Sequence, residues 1–136
     1  MKTSKLILAS SSPQRLSLLK TIGIEPDVVV TANIEEIPYK KEKPKDFVIR
    51  MSKEKAFDVS KENSNSFILS GDTIVAAGKR IIGKPSDRNE AKEILSLLSG
   101  RRHRVLSAFT LIKPNLEEIT KLVTSKVKFS RLSEND

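Results

Sequence analysis

The chain has 136 residues, 38% of them apolar and 4% aromatic, with no cysteine or tryptophan and a formal net charge of +8. That length and apolar content suit one globular domain with a real core, and the lack of cysteine excludes a disulfide framework and a thiolate metal site. The positive charge favours polyanionic partners, but the few aromatic residues supply a poor stacking platform for nucleic acid. No apolar run reaches the length of a membrane span or a signal-peptide core, so a cytoplasmic, reducing location is expected.

Leu6, Ile7 and Leu8, closed by Ala9 and three serines, read as a short strand buried on both faces of an α/β sheet. A helix then starts where Ser12 offers an N-cap and Pro13 fits the first helical position. A capping box would place Glu or Gln at the third position, yet Arg15 stands there, its charge opposing the positive end of the helix dipole. Two readings stay open. The hydroxyls of Ser10, Ser11 and Ser12, the free backbone N–H groups and Arg15 together can hold a phosphate; alternatively this is a serine-capped helix with an exposed arginine.

Gly23 suits the end of that helix, and Asp27 to Val30 reads as a second short strand. Residues 31–43 form a loop that carries Glu35 and Glu36. A second helix is expected from Pro44 or Lys45 to about Val59, with Val48, Met51 and Val59 on one stripe. Lys55 falls on that stripe, so its ammonium either snorkels past the core edge or points into a cleft. Lys53 and Glu54 lie off it and face solvent.

Phe67 to Leu69 resumes as a buried strand, followed by Ser70-Gly71-Asp72-Thr73 and a further apolar run from Ile74 to Ala77. A carboxylate wedged between apolar runs is costly unless paired, hydrogen-bonded or bound to a metal, and strand ends in open α/β sheets are where ligands bind. Gly78 to Arg80 turns the chain into Ile81-Ile82. The string GKRIIGKP starts like a phosphate-binding P-loop but fails at Pro85, which has no hydroxyl for Mg²⁺ and keeps Lys84 out of a helix.

Asp87 and Glu90 form a capping box for a third helix with Ala91, Ile94, Leu95 and Leu98 on its apolar face, ending at Gly100. Arg101 to Arg104 is basic and holds the single histidine, His103, which reads as a packed residue rather than a base. Val105 to Ile112 and Ile119 to Phe129 form a long antiparallel hairpin across Pro114-Asn115.

Taken in order, ASSSPQRLSLL, the acidic pair in NIEE, EKA at 54–56, GDT at 71–73, GKP at 83–85 and LSGRRHRV at 98–105 resemble the Maf family of nucleoside triphosphate pyrophosphatases. The resemblance implies a Maf/ITPase-like α/β fold, a mixed twisted β-sheet flanked by helices with a cleft between two lobes. It implies hydrolysis of nucleoside triphosphates to the monophosphate and pyrophosphate with Mg²⁺ or Mn²⁺. Residue by residue, Ser10 and Arg15 correspond to the phosphate-holding loop, with Ser12 beside them expected to bind phosphate through its hydroxyl, Lys55 and Lys84 to two cleft lysines, and Asp72 to the proton acceptor. Glu36 corresponds to an acidic site residue, and with Asp72 it is the expected metal ligand, Glu35 being the substitute.

Gln14 and Thr73 correspond to positions tied to substrate choice. Threonine at the second is typical of the branch acting on dTTP and UTP, whereas the first often holds arginine. The family continues past LSEND with a GAYGIQG-like segment, so residues 1–136 are expected to form one Maf-like domain shortened at its C-terminus, with the second lobe incomplete. No membrane or nucleic-acid partner is expected, and a homodimer stays open. The competing reading is a non-catalytic basic protein, derived from a shortened Maf-like enzyme, that binds nucleic acid or a partner. The enzymatic reading requires the first helix tip, Lys55, Lys84 and Asp72 to face a common hollow.

Overall fold

The structure, a computed structural model, describes residues 4–10, 12–82, 88–89, 92 and 102–128. The N-terminal apolar run forms β1 (Leu6–Ala9), whose last three residues are buried. Helix α1 (Pro13–Thr21) follows, with Ser12 as its N-cap and Pro13 in its first turn as expected. It ends at Ile22, and Gly23 takes φ of +83°, a left-handed conformation that glycine adopts without a steric penalty. The chain returns as β2 (Val28–Val29), parallel to β1. Backbone bonds from the Asp27 and Val30 amides to Leu6 and Leu8 extend that pairing over the whole stretch read from the sequence.

After a loop without regular structure comes α2 (Pro44–Ser60), then β3 (Phe67–Ala77), β4 (Arg80–Ile82), β5 (Arg102–Ile112) and β6 (Glu118–Lys128). The sheet runs β2-β1-β3-β5-β6, with β4 pairing to β3. It is mixed: β1 is parallel to β2 and β3, while β4 and β5 are antiparallel to β3, and β6 to β5. Two expectations about extent change. Asp72 does not stand at a strand's end: Ser70 to Thr73 is the middle of one continuous β3, because its polar side chains find partners within the sheet and α2. The hairpin strand β5 begins at Arg102, so the basic segment from Arg102 to Arg104 is already strand. The expected third helix, with its Asp87 and Glu90 caps, lies largely outside the described residues.

Helix α2 packs across the sheet on two apolar clusters. Phe47, Val48 and Met51 meet Ile74, Ala76, Leu106 and Ala108, while Ala56 and Val59 meet Ile7, Ala9, Ile68 and Ile112. Between them the same faces carry polar residues: Ser52 and Lys55 on α2, Ser70 and Asp72 on β3, Thr110 on β5. The hydroxyls are mutually satisfied, Ser52 Oγ lying 2.8 Å from Thr110 Oγ1, which is 3.0 Å from Thr120 Oγ1, while Ser70 Oγ donates to the Ser52 carbonyl. A polar seam through a core costs stability unless every group is partnered. At its end on β3 stands Asp72.

Candidate active site

The placement of β1 and β4 creates the site. On one edge β3 pairs with β5 from Ile68 to Ala76; on the other it pairs with β1 over Phe67–Ser70 and with β4 over Val75–Ala77. Gly71 to Ile74 therefore have no strand partner on the second edge among the described residues. This gap lies just past the carboxyl end of β1, the position where open α/β sheets bind ligands.

Successive residues of a strand point to opposite faces, so Asp72 faces α2 while Gly71 and Thr73 face away from it. On the α2 side, Lys55 Nζ lies 3.0 Å from Asp72 Oδ1 and 2.7 Å from Glu36 Oε1. The Lys55 and Asp72 side chains are only 16% and 13% exposed, so this pair is largely withdrawn from water. The Lys55 ammonium thus turns to these two carboxylates rather than out past the core edge. Glu36 comes from the loop before α2 and is exposed. Its neighbour Glu35 lines a shallow depression with Asn33, Lys53 and Phe57 instead.

On the far side of the gap, Arg15 Nη1 donates to Ser10 Oγ at 2.9 Å and Nη2 to Thr73 Oγ1 at 3.4 Å. Ser10 Oγ also accepts from the Ser12 amide at 3.1 Å, and Ser12 Oγ from the Arg15 amide at 3.5 Å. Arg15 thus sits at the α1 tip, held by hydroxyls alone, and it forms no ion pair with a carboxylate among the described residues. Burial lowers the pKa of its guanidinium from the ordinary arginine value, and the charges of Asp72 and Glu36 act to raise it again.

The glycine at 71 has a packing reason. A Cβ there would lie 3.0 Å from Arg15 Nε and 3.1 Å from Phe109 Cδ1, so only glycine lets the guanidinium lie against the strand without displacement.

The expectation of one common hollow is therefore not met: Lys55 with Asp72 and Glu36 stands on the α2 face of the sheet, Arg15 with Ser10 and Thr73 on the other, because Asp72 alternates with Gly71 and Thr73 along β3, and the two groups share only the open edge of that strand. Lys84 lies outside the described residues. Gln14 is exposed in the first turn of α1. His103 is buried within β5. Sequence reasoning missed Ser107, whose Oγ lies 3.0 Å from Thr73 Oγ1; the alternation of β5 could have found it, since Ser107 is the hydroxyl residue facing Thr73 in the register. Among the described residues no three His, Asp or Glu side chains converge on a point. Glu36 and Asp72 do converge, however, on one positive centre, the Lys55 ammonium. These two carboxylates are the hard oxygen donors that would hold a divalent cation here.

The sequence model of the Maf-like protein family matches residues 5–136. The chain belongs to that family. A dTTP/UTP pyrophosphatase of Wolbachia sp. subsp. Drosophila simulans (strain wRi) is 47% identical over 134 residues, covering 98% of this Maf-like chain and 68% of the relative. A nucleoside triphosphate pyrophosphatase of Ehrlichia ruminantium (strain Welgevonden) is 46% identical over 132 residues, covering 97% and 69%. Among solved structures, a HAM1 protein from Coxiella burnetii superposes with a TM-score of 0.61 at 15% identity, covering 96% of this chain and 75% of that one. A nucleoside-triphosphatase, dITP/XTP pyrophosphatase, from Mycobacterium abscessus ATCC 19977 superposes at 0.55 with 20% identity, covering 94% and 74%. These two likenesses concern the fold: the Maf-like chain has the mixed α/β sheet of the nucleotide pyrophosphatases. Among the described residues no helix is long and apolar enough to cross a membrane.

Proposed function

We propose that this chain hydrolyses nucleoside triphosphates, dTTP and UTP foremost, to the nucleoside monophosphate and pyrophosphate, and that the gap along Gly71–Ile74 is where it does so. The observation that carries the reading is the half-buried Arg15, held at this gap only by neutral hydroxyls, with Lys55 bridging two carboxylates at the same strand edge from the α2 side. A guanidinium placed without a carboxylate partner at a helix tip is arranged for an anion, and its planar fork suits phosphate oxygens.

Arg15, the Ser10 and Ser12 hydroxyls and the α1 N–H groups bind phosphate oxygens. Lys55 supplies positive charge on the other side, and Lys84 is proposed to add more. Asp72 orients the attacking water and takes its proton as the new O–P bond forms at the α-phosphorus and the bond to the β-phosphate breaks, releasing pyrophosphate. Arg15 and Lys55 balance only Glu36 and Asp72, which leaves a triphosphate of nearly four negative charges largely uncompensated. A divalent cation, Mg²⁺ or Mn²⁺, would be held by Glu36 and Asp72 with substrate oxygens, and would supply charge neutralisation and a more acidic water. The pyrimidine choice rests on Thr73 and on the activity named for the relatives.

Asp72→Asn keeps the side-chain volume and removes the proton acceptor. Pyrophosphate release should fall by roughly 10²- to 10⁴-fold, the usual worth of a general base, while the metal-free affinity for a non-hydrolysable dTTP analogue changes little. Unchanged turnover would remove Asp72 from the reaction.

A further inference from the structure

Glu36 stands in a thirteen-residue stretch, 31–43, that forms no helix or strand. Loops of that length without internal structure are either functional or disordered, and a ligand carried on one is useful only if something fixes it. Here α2 does so at three points. Near the loop's start, Asp58 Oδ2 accepts the Asn33 amide at 2.9 Å. Lys55 then meets Glu36, and beyond Glu36 the side-chain hydrogen bonds from α2 to the loop among the described residues all come from Arg50.

The Arg50 guanidinium grips Glu42 with two bonds, Nε to Oε2 and Nη2 to Oε1, both 2.8 Å. Nη2 also donates to the Ile37 carbonyl at 2.9 Å, and Nη1 to Glu54 Oε2 at 2.7 Å. Its Cζ lies over the Tyr39 ring, 3.8 Å from the centroid, and the Tyr39 amide donates to Glu42 Oε1 at 2.9 Å. Four of the five guanidinium donors are thus used within the chain and one face is capped by an aromatic ring, so this arginine has no room for substrate. What it holds is the backbone carbonyl immediately after Glu36, together with the two side chains that close the rest of the loop.

We infer that Arg50 is a positioning residue, which sets the Glu36 carboxylate against Lys55 and Asp72 by pinning residues 37–42 to α2. The inference rests on the reading of Glu36 as a metal ligand given above. Arg50→Lys keeps the charge but loses the fork, and Glu42→Gln keeps the shape but loses the charge.

The test is a double-mutant cycle of Arg50→Lys and Glu36→Gln. One readout is the Mn²⁺ concentration giving half-maximal pyrophosphate release from dTTP; a second is Mn²⁺ binding, followed by electron paramagnetic resonance, with a non-hydrolysable dTTP analogue. Each single variant should raise the Mn²⁺ requirement about tenfold, the lower end of what loss of an outer partner costs a metal site. The double variant should be no worse than Glu36→Gln alone, and Glu42→Gln should behave as Arg50→Lys does. In metal-free Arg50→Lys, amide hydrogen exchange in residues 36–42 should speed up while that of β3 and β5 stays unchanged. No shift in Arg50→Lys where Glu36→Gln shifts strongly would overturn the role of Arg50 and leave Glu36 as a ligand. Additive shifts would overturn the route through Glu36. A Glu36→Gln variant with normal Mn²⁺ dependence would sink both.

Discussion

Arg15 and Gly71 make one unit: the arginine reaches Ser10 and Thr73 because the strand beneath it has no side chain at 71. Gly71→Ala adds a single methyl group, whose contacts at 3.0 Å to Arg15 Nε and 3.1 Å to Phe109 Cδ1 force both side chains to move. Because a flexible arginine gives way more easily than the sheet, the fold should survive. The cost should appear as a rise of about tenfold or more in KM for the triphosphate, with a melting temperature close to that of the parent. Loss of several degrees with an unchanged KM would show that the glycine serves packing alone. Part of this scale was legible beforehand, since Ser12 before Pro13 identified the cap and a cation at the third helical position singled out Arg15. The reason for the glycine was not, because it lies in a contact between residues distant in sequence.

At the scale of elements, α2 organises the site, and its sequence shows why. The stripe of Val48, Met51 and Val59 buries one face, and Lys55 on that stripe was readable as an anomaly. Arg50 was not singled out, although its spacing to Glu54 and the Glu42 eight residues before it were in view; charge alternation on a helix usually means only a solvated surface, and what distinguishes this arginine is the loop folded over it. The continuity of β3 through Ser70–Thr73 was likewise not readable. Ile68, Ser70, Asp72, Ile74 and Ala76 do alternate with period two toward α2, but a seam of hydroxyls and a carboxylate is read as strand only once Ser52, Lys55 and Thr110 are known to satisfy it.

The Arg50–Glu42 pair also gives the loop a dependence on pH. Hydrogen bonding and charge from Arg50 hold the Glu42 carboxyl below its ordinary range. The folded protein therefore binds fewer protons there than the unfolded chain, so the stabilisation is full above the ordinary carboxylate pKa and disappears as pH falls through the lowered one. The melting temperature of the parent should exceed that of Glu42→Gln near neutral pH, and the difference should close on acidification. A gap that persists in strong acid would mean the carboxylate charge contributes nothing.

For the whole molecule, the decisive feature is an edge of β3 left unpaired between β1 and β4, with α1 on one face and α2 on the other. The short parallel strand β1 stops four residues before β4 begins its pairing, and into that interval the chain delivers an arginine, a lysine, two carboxylates and a set of hydroxyls from elements far apart in sequence. The order of motifs made the family readable from the sequence, and the strand lengths that produce the gap came only with the coordinates. The most direct test of the account is hydrolysis of dTTP in ¹⁸O-water with Mg²⁺ or Mn²⁺. Attack at the α-phosphorus predicts that the label enters dTMP and none enters pyrophosphate, with turnover lost in Asp72→Asn; labelled orthophosphate or pyrophosphate, or an Asp72→Asn variant as fast as the parent, would contradict it.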